Sequence, residues 1–157
     1  MSYNLFSVYQ PRQPRFNHKW IILGIIIILV LIWIRWARAE TPPANLWKGI
    51  IAEACGEGKI GLYAVACVYR NRLEKGIPLG CIALKRKDLD QFVQRQGLLY
   101  EKMAKEIVRS VFGNPWLDIT GGATHYENIE CFGTPWWIKN MIKTIKIKSH
   151  TFYKERG

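Results

Sequence analysis

The first 39 residues of this 157-residue chain hold no acidic side chain, and the stretch from Trp20 to Ile34 holds no charge of either sign. The second absence excludes a solvated surface helix there, because "WIILGIIIILVLIWI" offers water nothing but apolar side chains. The C-x-x-C spacing is also missing, which leaves a zinc-ribbon or zinc-finger reading without its ligands. No segment repeats itself, so a solenoid is excluded as well. Histidine is scarce, with three in the whole chain.

What is present begins with basic charge. The net charge is +11. Arg12, Arg15, Lys19, Arg35 and Arg38 supply +5 of it, and the remaining +6 suits either a solvated basic face or a polyanionic partner. No recognised nucleic-acid motif accompanies the charge, so no nucleic-acid partner is expected. As a helix, the uncharged run spans about 22 Å at ~1.5 Å per residue, against a hydrocarbon core of about 30 Å. Trp36 and Ala37 extend it, Lys19 and Arg35 can snorkel, and Trp20, Trp33 and Trp36 stand where interfacial anchors belong. "ARAE" after the run offers a small-x-small cleavage site following Ala39. Two exported forms therefore stand side by side, a cleaved secretory protein and a retained membrane anchor. The basic residues before the run favour a cytoplasmic N-terminus with the rest of the chain outside. The expected organisation is a cytoplasmic basic tail at 1–19, a transmembrane or signal segment at 20–37, a linker carrying Thr41-Pro42-Pro43 at 38–44, and a domain at 45–157.

Cys55, Cys67, Cys81 and Cys131 all lie in that exported part, where an even number permits disulfides in any of three pairings. A Cys–His nucleophile built on Cys55 with His125 or His150 lacks the surrounding signature of a cysteine protease. Asn45 is a candidate N-cap for a first helix running to about Cys55, with Leu46, Trp47, Ile50, Ile51 and Ala54 as its apolar face. Gly56, Gly58 and Gly61 end it. A second helix is expected from about Ile60 to Lys75 and a third from about Leu99 to Phe112. Residues 79–98 read as a short strand and a loop. "ATHYENI" reads as a strand, and "TIKIKSHTFYK" as an edge strand with lysines on its open face. The fold class is α+β, about three helices around a small antiparallel sheet.

Glu53 and Glu57 stand four apart, on one face if the helix continues that far. Two like charges so placed repel, and partial burial favours the protonated form of one of them. A carboxylic acid that can give up its proton is what glycosidic cleavage requires, since the leaving oxygen must be protonated. Ordinary surface helices carry such pairs too, so the later segments decide the matter. These are Glu53-Ala54-Cys55-Gly56-Glu57, Ala64-Val65-Ala66-Cys67-Val68, Asn71-Arg72, Gln91-Phe92, Gly122-Ala123-Thr124-His125-Tyr126, Pro135-Trp136 and His150-Thr151-Phe152-Tyr153. In this order they resemble the SleB-type cell wall hydrolase family, which includes spore-cortex-lytic enzymes, over roughly residues 46–154.

The resemblance implies a small lysozyme- or transglycosylase-like domain. Its implied activity is cleavage of peptidoglycan between N-acetylmuramic acid and N-acetylglucosamine, as a lytic transglycosylase with one catalytic glutamate. That residue maps onto Glu53, with Glu57 beside it holding the turn or modulating it. Gln91, Thr124, His125, Tyr126 and Asn128 are expected to line the groove, with Trp136 and Tyr153 as stacking or wall residues. Trp137 is expected in the core, and His150 as a structural residue bonding backbone near the glutamate helix. No metal or other cofactor is implied. Expected partners are glycan strands and, through the N-terminal segment, the membrane, with the domain facing the cell wall. The sequence departs from the family pattern at Tyr126-Glu127-Asn128 and at Lys148-Ser149. Alternatives are an N-acetylmuramoyl-L-alanine amidase, which commonly needs zinc, and a non-catalytic wall-binding protein.

Overall fold

The computed structural model describes residues 18–37, 41–114 and 116–156, without the side chains of 35–37. Residues 1–17 of the expected tail at 1–19, the Ala39 cleavage site and the start of the linker lie outside the described residues. The chain divides into two units, one ending at Ile34 and one running from Arg35 to the C-terminus. The apolar run, which closes the first unit, lies in helix α1, His18–Ala37. Its isoleucines and leucines are exposed on every side. Among the described residues, no helix is long and apolar enough to cross a membrane.

The second unit is α+β, with element order α2 (Leu46–Ala54), a 3-10 turn (Cys55–Glu57), α3 (Gly58–Glu74), a second 3-10 turn (Ile82–Lys85), α4 (Leu89–Gln96), α5 (Leu98–Gly113), β1 (His125–Glu127), the single-turn α6 (Ile129–Phe132), a third 3-10 turn (Trp136–Asn140), β2 (Met141–Ile147) and β3 (His150–Glu155). The three principal helices fall where apolar periodicity puts them. Asn45 precedes α2 but makes no side-chain cap bond. Its carbonyl instead accepts from the Lys48 N–H at 2.9 Å.

Leu46, Ile50 and Ile51 of α2, Leu62, Val65 and Ala66 of α3, and Ala104, Ile107 and Val111 of α5 form the main core. Small residues on α3 let the helices approach closely. Gly49 of α2 is such a point too, since a Cβ there would come within 2.6 Å of the Cys81 sulfur. A second cluster, Ala64, Val68, Ala123, Ile147 and Phe152, joins the opposite side of α3 to the sheet. Helix α3 is thus buried between the helical layer and the strands. This explains why its sequence is apolar all round and lacks a clean stripe.

Two elements differ from expectation. Residues 79–98 hold a 3-10 turn and helix α4 where a strand and loop were expected. Only Leu89 and Val93 of α4 are buried, an i, i+4 pair too short to show a period in sequence. "TIKIKSHTFYK" is not one strand but a hairpin, with sheet order β1-β3-β2, all antiparallel. Lys148 turns the corner with φ 55, the one described non-glycine residue at positive φ. Glycine would take that conformation at less cost, which is why the turn is hidden in the sequence. β2 is an edge strand with exposed lysines, but the expected alternation fails, since Ile142 and Ile145 are exposed too and the register shifts between Lys143 and Ile145. All four cysteines are free, so none of the three disulfide pairings is formed.

Candidate active site

Helix α2 stops at Ala54, and this separates the two glutamates. Cys55–Glu57 winds into a 3-10 turn, so Glu57 leaves the face that carries Glu53. Its carboxylate accepts from the Ser149 N–H at 3.0 Å and from the Ser149 hydroxyl. Gly61 makes room for this turn, since a Cβ there would strike the Glu57 side chain at 2.1 Å. Burial pushes the Glu57 pKa up, but the Ser149 bonds and the charges of His150 and Lys148 outweigh it, and the net shift is downward. Glu57 is therefore a tie between the α2–α3 turn and the β2–β3 turn, 92 residues on. It is not paired with Glu53.

Glu53 is half-buried at the rim of a cleft of about 300 Å³. Val68, Tyr69 and Arg72 of α3 line it, with Gly80 and Ile82 from the following loop, Thr124 through Glu127 at β1, and Trp137. Glu53 Oε1 accepts from the Ala83 N–H at 3.3 Å. The Tyr126 hydroxyl pairs with that of Tyr69 at 3.1 Å. Burial raises the Tyr126 pKa strongly, and the adjacent Glu53 charge raises it further. Tyr69 is raised by burial, then by Tyr126 and Glu53. Both phenols stay protonated at any working pH and serve as donors beside the Glu53 carboxyl.

The other wall is built from one loop and one strand. Thr124 is fully buried, with its N–H donating to the Tyr153 carbonyl at 2.9 Å. Its hydroxyl meets His125 Nδ1 at 2.9 Å. The His125 ring lies against Trp137 at 5.3 Å, and Trp137 meets Tyr153 edge-on at 5.6 Å. Burial lowers the His125 pKa, the Arg72 charge lowers it further, and the imidazole is neutral at neutral pH.

The loop 114–124 is fixed by three consecutive polar residues of α3. Arg70 is buried and donates to the carbonyls of Val111, Asn114 and Leu117 at 3.0–3.1 Å. Asn71 donates to Asp118 at 3.1 Å and to the Ala123 carbonyl at 3.0 Å. Arg72 reaches the Thr124 carbonyl at 3.2 Å and the Pro78 carbonyl at 2.8 Å. These bonds satisfy a loop that would otherwise leave its carbonyls buried without partners.

Of the residues expected in the groove, Glu53, Thr124, His125 and Tyr126 come together. Gln91 is exposed on α4, away from the cleft lining. Asn128 caps α6, accepting from the Cys131 N–H at 3.1 Å. Trp136 is 82% exposed and off the lining, whereas Trp137 is on it, the reverse of the expected pair. Tyr153 is 4% exposed and stands behind Trp137 instead of in the cleft. His150 bonds no backbone at the glutamate helix. Its ring packs edge-on against Tyr126 at 5.1 Å, and its buried Nδ1 has no hydrogen-bond partner among the described residues. Sequence reasoning missed Tyr69, Arg72 and Glu127. The spacing of Val68, Tyr69 and Arg72 along one side of α3 was the available signal. Among the described residues no three His, Cys, Asp or Glu side chains stand where they could hold one metal ion.

A carboxyl beside two phenols, facing an aromatic wall, is equipped for proton transfer to a polar ring that stacks on that wall. The Cell Wall Hydrolase family model matches residues 56–153, more than half of the chain, and the chain belongs to that family. The matched stretch covers both walls of the cleft and begins just past Glu53. Comparison with curated proteins and with solved structures gave no match. The chain is thus a cell wall hydrolase, of a class whose substrate is peptidoglycan.

Proposed function

We propose that the domain cuts the glycan strand between N-acetylmuramic acid and N-acetylglucosamine, as a lytic transglycosylase with Glu53 as its acid. The supporting observation is that Glu53 shares one cleft with Thr124, His125, Tyr126 and Trp137. At about 300 Å³ the cleft has the size of a small ligand pocket, room for about one sugar ring. Glu53 gives its proton to the leaving glycosidic oxygen as the C1–O bond breaks. The muramic C6 hydroxyl then closes onto C1 and returns a proton to Glu53, leaving an anhydro end. The Ala83 N–H and Tyr126, itself paired with Tyr69, hold the carboxyl in place, and Trp137 offers the sugar a flat face.

The proposed substrate lies outside the membrane, and the domain is proposed to act there. The N-terminal apolar segment is the proposed route, as a cleaved leader or a retained anchor. A helix apolar on every side, as α1 is, needs apolar surroundings. The test is muropeptide analysis by mass spectrometry with the wild type and Glu53→Gln. Anhydro-muropeptides from the wild type, falling by on the order of 100-fold or more in the variant, are expected. Lysis retained by a folded Glu53→Gln protein overturns the assignment. Free stem peptides in place of glycan fragments point to an amidase, and no cleared zone in zymography points to a wall-binding protein.

A further inference from the structure

The cleft holds a second carboxylate that the single-glutamate reading does not use. Glu127 lines it together with Glu53. The two come from different elements, Glu53 from the end of α2 and Glu127 from the end of β1. Strand alternation puts His125 and Glu127 on one face of the sheet and Tyr126 on the other, so Glu127 follows His125 along the wall. Glu127 is half-buried, and Oε1 is fixed by the Asn128 N–H at 3.0 Å. Both groups line a cleft with room for about one sugar ring. Two carboxyl groups about one saccharide are the arrangement by which glycosidases deliver water.

We infer that Glu127 is a second catalytic residue, the base that activates water against the bond Glu53 protonates, so that part of the product is hydrolysed. The inference rests on the proposed role of Glu53. The step balances as follows. The C1–O bond breaks, and its electron pair goes to the leaving oxygen, which takes the Glu53 proton. The water oxygen bonds to C1, and the proton it loses goes to the Glu127 carboxylate. Exchange with solvent restores both groups. No oxidant, reductant or further reactant is needed. The C6 hydroxyl and water then compete for the same carbon, and Glu127 serves the second of them.

The experiment is digestion of purified peptidoglycan by the full chain in water labelled with heavy oxygen, with products resolved by mass spectrometry. The wild type is expected to give both unlabelled anhydro ends and reducing ends that carry the label at C1. Glu127→Gln keeps an oxygen to accept from the Asn128 N–H, and circular dichroism checks its fold. It is expected to lower the ratio of labelled reducing ends to anhydro ends by on the order of 100-fold. A wild type that yields anhydro ends alone, or an unchanged product ratio in Glu127→Gln, overturns the base role and leaves glycan cleavage by Glu53 standing. Equal loss of both products in the folded variant overturns it too, since that assigns Glu127 to binding. A wild type that releases neither product defeats the Glu53 reading as well.

Discussion

Asn71→Ala removes the amide that ties the cleft loop to the core, and its cost follows from the bonds it breaks. The Asn71 side-chain nitrogen donates to the Asp118 carboxylate at 3.1 Å and to the Ala123 carbonyl at 3.0 Å, and all of this is largely buried. Asp118 keeps three other donors, the Thr120 N–H at 2.8 Å, the Thr120 hydroxyl at 2.6 Å and the Gly122 N–H at 2.7 Å. The loss there therefore sits near the low end for a charged hydrogen bond, about 1.5 kcal/mol. Ala123 is fully buried, and a carbonyl stripped of this donor costs about 1.5–2 kcal/mol more. These two losses sum to about 3 kcal/mol, a floor because the Arg70 Nη2 bond to Asn71 Oδ1 at 3.2 Å goes too, and the urea midpoint shifts by at least about 1.5 M for a slope of about 2 kcal/mol/M.

Acid titration gives an independent check on the same contact. Burial raises the Asp118 pKa, but the Thr120, Gly122 and Asn71 bonds outweigh it and hold the group below its ordinary 3.8. Its stabilisation is complete above 3.8 and is lost as pH falls through the lower folded value. With one donor gone, the folded pKa moves back toward 3.8. The wild type should then lose more stability than the variant as pH falls below 3.8. A midpoint shift under about 0.5 M, with an unchanged acid profile, refutes the claim that Asn71 holds the loop.

The two adjacent tryptophans give a contrast within one turn. Trp137→Ala is expected to raise KM for glycan about tenfold or more through loss of the stacking face, while Trp136→Ala, at an 82% exposed site, changes it less than about twofold. Equal effects on turnover of soluble glycan fragments contradict the assigned wall. Gly49→Ala places a methyl 2.6 Å from the Cys81 sulfur and 3.1 Å from Leu84, and a loss of about 1–3 kcal/mol in thermal or urea unfolding is expected. An unchanged or raised stability shows that α2 and the Cys81 segment have slack between them.

The helices were legible because burial repeats along them, and Met103, Ile107, Val108 and Val111 of α5 show it plainly. The cleft was legible only in part, since its walls depend on how distant segments meet. Glu53 and Glu57 look equivalent by spacing. Their separation depends on the helix stopping at Ala54 and on Ser149, which accounts for a carboxylate that no local pattern distinguishes. Adjacent residues such as Trp136 and Trp137 carry the same chemistry and differ only in direction, and a 3-10 turn has no period long enough to reveal which one faces in. Arg70, Asn71 and Arg72 read as the polar end of an apolar helix. In the fold Arg70 and Asn71 are buried and Arg72 half-buried, because the loop they hold brings its carbonyls into the interior. Polar residues next to a long apolar stretch are thus as much a sign of a captured loop as of a helix reaching solvent. In this chain the captured loop is the one that delivers Thr124, His125 and Glu127 to the cleft, so its retention in the fold and the chemistry at Glu53 depend on the same few side chains.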